Sequence, residues 1–332
     1  MNLFISSVFI LCNYVTMQAI MTSNFPPYKK KLAEFYNNRQ VLVTGGAGFI
    51  GSHIVEKLVE LNAHVTVIDN LTTGNLDNLS HVLSSIIFIQ DDITNFDACK
   101  KATQNKTLIF HCAAQVSVPE SLEKPYLCYL INVHGTYNLL EAARINNVDR
   151  FIFSSSSAVY GTQEIPCTEN MPCAPTSPYG TSKLIGELSC QLYSKQYNLK
   201  TLCLRYFNVF GSRQRDNGAY TGIIKTMRTS MNAHRSITIY GDGLQTRDFV
   251  SVEDVSNANI WFATLPPALL DGTVVNIASG TTKNIIELYN ELKTEYPLYA
   301  QEPIFQPARA GDIKNSSADC TKFKTLYNIA LN

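Results

Sequence analysis

The chain has 332 residues, enough for one large nucleotide-binding domain with a smaller companion and too few for three domains. Lys plus Arg and Asp plus Glu number 27 each, so the net charge is zero and no basic run tracks a phosphate backbone; nucleic acid is excluded as the expected partner and a small ligand is favoured. Nine cysteines without a CxxC pair fit a reducing cytoplasm, and six histidines without close ligand spacing leave a metal site unsupported.

In chain order, residues 3–21 are largely apolar but interrupted by Ser6, Ser7, Asn13, Thr16 and Gln18. A signal peptide needs positive charge ahead of its apolar stretch, whereas Lys29, Lys30 and Lys31 come after it. Residues 1–38 are therefore set apart as an N-terminal extension, read as disordered or as the product of an upstream start codon, and no membrane association is expected. From Gln40 onward, β-branched runs alternate with helical stretches. Strands are predicted over 41–44, 64–68, 86–89, 107–110, 151–154 and 201–205, and helices over 50–61, 125–146 and 179–197. This alternation predicts an α/β fold, a doubly wound parallel Rossmann sheet over 39–207 with some contribution from later chain. Beyond residue 208 turn-rich stretches break the rhythm, and 208–332 is read mainly as a smaller α/β substrate-binding lobe.

The motif Gly45-Gly-Ala-Gly48-Phe49-Ile50-Gly51 joins the first strand to the first helix of that domain. Glycines there permit the tight turn and let the backbone approach a pyrophosphate, whose charge sits at the helix N-terminus. Asp69 closes the second strand, where a carboxylate accepts hydrogen bonds from ribose hydroxyls and repels a 2'-phosphate, so NAD is the expected cofactor. The spacing GxxGxxG resembles the short-chain dehydrogenase/reductase superfamily, in its extended epimerase/dehydratase form, and later motifs carry the resemblance from Val41 to Asp319. The resemblance implies further cofactor contacts at Asn70, Gly74, Asp92 and Ile93, at the nicotinamide-side turn Ala113, Ala114 and Gln115, and at the helix asparagine Asn132.

Tyr179 and Lys183 lie four apart, on one face of a predicted helix, and the serine run Ser154 to Ser157 ends a strand that opens into the same cleft. In the superfamily such a tyrosine is the acid/base, the lysine lowers its pKa and holds the nicotinamide ribose, and a hydroxyl binds the reacting oxygen. An unperturbed tyrosine titrates near pH 10, so neutral-pH work needs positive charge beside it. Alignment with the sugar-epimerase pattern puts the hydroxyl on Ser156, with Ser155 and Ser157 as near misses. Related dehydratases and decarboxylases carry an acid just after that hydroxyl; Ser157 and Ala158 stand here, so oxidation followed by reduction is the supported chemistry.

Leu204-Arg-Tyr-Phe-Asn-Val-Phe-Gly-Ser-Arg-Gln214 resembles the UDP-sugar segment of UDP-hexose epimerases. The match implies Phe207 beside the nicotinamide and Asn208 on the diphosphate; Arg247 and Arg309 join the diphosphate, Asp312 the uridine ribose, and Ser117 the substrate. The stretch Asn217-Gly-Ala-Tyr220 and Ser316 favour an N-acetylated sugar, Ser316 because a serine leaves room where stricter enzymes carry a bulky tyrosine. The expected activity is NAD-dependent 4-epimerisation of a UDP-hexose through a 4-keto intermediate, with UDP-N-acetylglucosamine and UDP-N-acetylgalactosamine, or the uronic acid form, as the pair. A UDP-glucose 4-epimerase, a net nucleotide-sugar reductase or dehydrogenase, and a non-catalytic NAD-binding protein stay open as alternatives. The resemblance further implies a homodimer formed through the helices at 125–146 and 179–197. Because the family pattern continues for another helix beyond 320–329, a less stable small lobe is expected.

Overall fold

The computed structural model describes residues 26–215, 222–308 and 314–331. Helix α1 (Pro26–Tyr36) precedes β1 (Gln40–Thr44), α2 (Phe49–Glu60), β2 (His64–Ile68), β3 (Ile86–Ile89), α3 (Phe96–Ala102) and β4 (Leu108–His111). After α4 (Val118–Glu123) comes a helical rod made of α5 (Pro125–Tyr129), a π-turn (Leu130–His134) and α6 (Gly135–Ile145). The chain continues through β5 (Arg150–Ser156), α7 (Pro178–Tyr197), β6 (Lys200–Tyr206), β7 (Asn208–Phe210), α8 (Ile223–Asn232), β8 (Thr238–Tyr240), β9 (Thr246–Ser251) and α9 (Val252–Phe262). It closes with β10 (Asp271–Ile277), β11 (Thr282–Asn284), α10 (Ile285–Thr294), β12 (Ile304–Gln306) and α11 (Thr321–Leu331).

Seven strands form one parallel sheet in the order β10-β6-β5-β4-β1-β2-β3. The order reverses between β1 and β4, and in open α/β sheets the crevice outside the strand C-termini at such a point receives the ligand. The period-2 alternation of a strand divides the core. Val41 and Val43 pack with α1, α2, α9 and α11 on one face, while Leu42 packs with α3, α6 and α7 on the other. Both faces are buried, so the central strands read as unbroken apolar runs. The small lobe is built differently: a three-stranded sheet β11-β9-β7, a two-stranded pair β12-β8 and an apolar cluster of its own from α8, β8 and α10.

The predicted helix over 125–146 is present but changes winding at the π-turn, an insertion typical of functional sites. Residues 26–36, within the segment set apart as an extension, form α1. Its Leu32 and Tyr36 are buried, the Tyr36 hydroxyl donates to the Ile260 carbonyl at 2.7 Å, and Lys31 reaches the Ala330 carbonyl at 2.8 Å. Burial of two such side chains contributes about 1.5–3 kcal/mol each. Among the described residues no helix is long and apolar enough to cross a membrane.

Candidate active site

Thr44 ends β1 and Gly45 turns out of it with φ +67°; a Cβ on Gly45 would stand 2.7 Å from the Ala113 nitrogen, so the glycine turn lies directly against the turn after β4. Gly48 is the N-cap of α2 and no side chain caps that helix, which leaves Phe49, Ile50 and Gly51 as an open, electropositive first turn. Asp69 sits just past β2, buried, and accepts the N–H groups of Ala47 at 2.9 Å and Leu71 at 2.8 Å. Burial pushes its carboxyl up, against the pull of those two donors. Gly74 passes beside that carboxylate. Asn70 donates to Asp92 at 2.6 Å, and Ile93 packs into the space left by Gly135. Asn132, carried on the π-turn, clamps Gln115 from both sides: Oδ1 accepts the Gln115 N–H at 2.7 Å and Nδ2 donates to the Gln115 carbonyl at 2.9 Å. Asn132 thus acts on the cofactor side by holding the turn that contains Ala113 and Ala114. Gln115 Oε1 is buried and has no partner among the described residues. The uncapped helix, the glycine turn and this unpartnered acceptor fit a dinucleotide.

At the C-terminal end of β5 the four serines part company. Ser154 turns its hydroxyl to Cys112 and Tyr206, at 3.3 and 3.1 Å. Ser155 turns to Glu187 on the face covered by α7. Ser156 is the serine that draws the Tyr179 phenol down against its burial, and its Oγ accepts the Ala158 N–H at 3.1 Å. Of the serines at 155, 156 and 157, Ser155 thus turns to Glu187 and Ser156 is the one that acts on the Tyr179 phenol. Tyr179 enters α7 at its first turn, where Ser177 caps and Pro178 begins the helix. Burial pushes the Tyr179 phenol up to about 12, with the Ser156 hydrogen bond opposing. Lys183, one turn on, is buried and pushed down to about 8; its ammonium donates to the Ser154 carbonyl at 2.8 Å and lies 5.9 Å from the Tyr179 ring centre. A base at Tyr179 needs positive charge to offset this burial, and the Lys183 ammonium is the positive group beside its ring.

His111, at the end of β4, was not singled out by sequence reasoning. Its partners fix its tautomer. The Thr136 hydroxyl spends its proton on the Asn132 carbonyl at 2.6 Å, so His111 Nε2 must donate to Thr136 at 2.9 Å, and the bare Nδ1 accepts from Thr44 at 2.7 Å. Thr44 Oγ1 in turn accepts the Ala113 N–H at 3.2 Å. Burial, aided by the nearby Lys183 charge, drives His111 down to about 3, so the ring stays neutral. One directed chain thereby joins the glycine turn, the 112–115 turn and the π-turn.

On the small lobe, Asn208 and Arg247 line a cavity of about 280 Å³ together with Phe210, Ile223, Gln245 and Phe249. Asn208 Nδ2 donates to the Asp248 carbonyl at 2.9 Å, and Asp248, fully buried, accepts from the Ser279 N–H and hydroxyl and from the Gly280 N–H. Gln245 was also missed: its Nε2 donates to the Tyr240 carbonyl at 2.7 Å, and its buried Oε1 has no partner among the described residues, the mark of a ligand-facing acceptor. Ser316 lies beside this wall, its N–H donating to the Thr246 carbonyl at 3.1 Å. Phe207 is buried at the end of β6, against Tyr160. Ser117 is buried and caps α4 by accepting the Glu120 N–H at 3.1 Å. Arg309 and Asp312, with Asn217 and Tyr220, lie outside the described residues. No group of three or more potential metal-ligating side chains occurs among the described residues.

Comparison with known proteins agrees with this architecture. The NAD dependent epimerase/dehydratase family matches residues 41–278. A protein of Methanocaldococcus jannaschii named as a putative UDP-glucose 4-epimerase is 40% identical over 289 residues, covering 86% of this chain and 92% of its own. The structure of a UDP-N-acetylglucosamine 4-epimerase from Methanobrevibacter ruminantium, in complex with UDP-N-acetylmuramic acid, is 36% identical with a TM-score of 0.83, covering 87% of this chain and 92% of that one. A UDP-glucose 4-epimerase from Thermotoga maritima with UDP-glucose is 34% identical with a TM-score of 0.82, covering 87% and 93%.

Proposed function

The chain belongs to the NAD dependent epimerase/dehydratase family, and from that premise we propose that it inverts C4 of a UDP-hexose, with UDP-N-acetylglucosamine and UDP-N-acetylgalactosamine, or the uronic acid form, as the pair. The observation that carries the reading is a buried Lys183 one helical turn from Tyr179, its ammonium on the Ser154 carbonyl at 2.8 Å in the same serine run as Ser156, with no carboxylate at positions 157 and 158. Elimination across C5 lacks a base there, whereas oxidation and re-reduction at C4 needs only an acid/base and a hydroxyl clamp.

Held at the first turn of α2, beside Asp69 and the 113–115 turn, NAD would supply the acceptor for the C4 hydride and its return, so that no external reductant would be consumed. Tyr179 takes the 4-hydroxyl proton as the 4-ketone forms and gives it back when the ring has turned over. Ser156 holds the same oxygen in reach of Tyr179, and Lys183 favours the phenolate by its charge. Asn208 and Arg247 hold the diphosphate on the small-lobe wall, with Arg309 and Asp312 completing the nucleotide contacts; the small side chain of Ser316 leaves space for an N-acetyl group. The test is incubation of the purified chain with UDP-N-acetylglucosamine, without added NAD, followed by proton NMR of the anomeric region. Appearance of UDP-N-acetylgalactosamine supports the reading. Conversion of UDP-glucose alone discards the N-acetyl assignment, and a requirement for free cofactor points to the reductase alternative.

A homodimer belongs to the same reading. Tyr126, Tyr137, Leu188 and Leu192 are exposed on the outer faces of α5, α6 and α7, a patch larger than isolated surface apolar residues account for. A second copy packed there covers it, and light scattering that finds a monomer at working concentration overturns this part.

A further inference from the structure

Behind the proposed site lies a group of buried charges that the chemistry does not use. Tyr179, Lys183 and Glu187 follow at four-residue steps on α7 and share one face. Two of them grip different members of the serine run on β5, Lys183 the Ser154 carbonyl and Glu187 the Ser155 hydroxyl, while Ser156 is the member that draws the Tyr179 phenol down against its burial. Ser155 is paired with Arg205 across the β5–β6 ladder, so the two side chains stand side by side under α7. Arg205 then meets Glu187 as a fork, Nε to Oε1 at 2.8 Å and Nη2 to Oε2 at 2.7 Å. Its guanidinium also packs over the Tyr160 ring at 4.6 Å. Ser155, Glu187 and Arg205 are only 3%, 2% and 3% exposed.

Such a pair is a poor device for stability alone. Removing both charges from water costs several kcal/mol per ion, and apolar residues of similar volume often fold as well or better. What the pair supplies is direction, because a planar fork and a two-oxygen carboxylate meet in one orientation. Gly186, next along the helix, removes the slack: a Cβ there would come within 2.3 Å of the Phe153 ring, so α7 lies directly on β5.

We propose that Glu187 is a positioning residue, which through Arg205 and Ser155 sets the depth and register of α7 on β5 and thereby the alignment of Tyr179 and Lys183 with Ser156. Its kinetic consequence rests on the 4-epimerase reading; its geometric consequence does not. The decisive variant is Glu187→Leu with Arg205→Met in the full chain carrying its NAD, since removing one partner alone strands a buried charge. The double variant is expected to melt within a few degrees of the parent and to keep its KM for the UDP-sugar, while kcat falls about tenfold or more, misplacement by 1 Å costing as much as about 100-fold. Parental kcat in this variant overturns the proposal. Independently of turnover, the alkaline absorbance titration of Tyr179, isolated by subtracting the matching Tyr179→Phe protein, is expected to move by about one pH unit between parent and double variant. An unmoved titration overturns it as well. If the parent turns over no UDP-sugar, the functional reading fails and the titration alone decides. Should the double variant not fold, Glu187→Asp, which keeps the charges paired on an arm one methylene shorter, is read by the same two measurements against the same outcomes.

Discussion

The two halves of the candidate site are built to different standards of rigidity. On the large domain, Ser156, Tyr179 and Lys183 sit on a seven-residue strand and a 20-residue helix, between core layers that cover both faces of the sheet. On the small lobe, Asn208 and Arg247 sit on strands of three and six residues above a separate apolar cluster, around a cavity where Gln245 Oε1 has no partner among the described residues. On the proposed function, the difference is a division of labour: chemistry tolerates little displacement and falls on long, doubly buried elements, whereas recognition falls on short strands that can be altered without moving the reacting groups.

If that division holds, substitutions on the two sides must separate in kinetics. The largest effect is expected from Tyr179→Phe, which should lower kcat about 1,000-fold or more with UDP binding by calorimetry unchanged. Next comes the directed chain through His111. Its folded-state pKa lies at about 3 against 6.5 for the free side chain, so the unfolded chain binds the extra proton first. The stability tied to the neutral ring is complete above about pH 6.5 and is lost as pH falls toward 3. His111→Gln, which can keep both hydrogen bonds without titrating, should remove a few kcal/mol of that acid loss, read from melting temperatures of parent and variant across this range. On the small lobe, Arg247→Ala should raise KM for the UDP-sugar by a free energy of about 1.5–3 kcal/mol while retained NAD, measured after denaturation, stays constant. A loss of NAD in that variant would break the comparison. The smallest effect is expected from Ser316→Tyr, about tenfold against N-acetylated substrate with UDP-glucose unaffected.

Much of the large domain was legible because local patterns carried it. The glycine turn, Asp69, and the four-residue spacing of Tyr179 and Lys183 are local, and the predicted strands fell within one to two residues of those observed. The small lobe was not, since strands of three residues such as β7, β8 and β12 show no periodicity to read. Nor was α1: its lysine-rich exposed side hid a helix anchored by Leu32 and Tyr36. The helix over 125–146 was foreseen as a rod, but its π-turn depends on what Asn132 reaches across the fold, and propensity does not report that.

What the amino-acid sequence determined by itself was the sheet, the glycine turn and the shared helix face of Tyr179 and Lys183, because each is encoded within a few dozen residues by turn chemistry or helical spacing. Tertiary structure alone decided which serine of four meets Tyr179, which tautomer His111 holds, and that Glu187 faces Arg205 under Ser155. In each case the partners lie on different elements and adopt their orientation only when the helix packs on the sheet, since a buried polar atom without a partner is costly and packing therefore favours one face, one rotamer and one proton position.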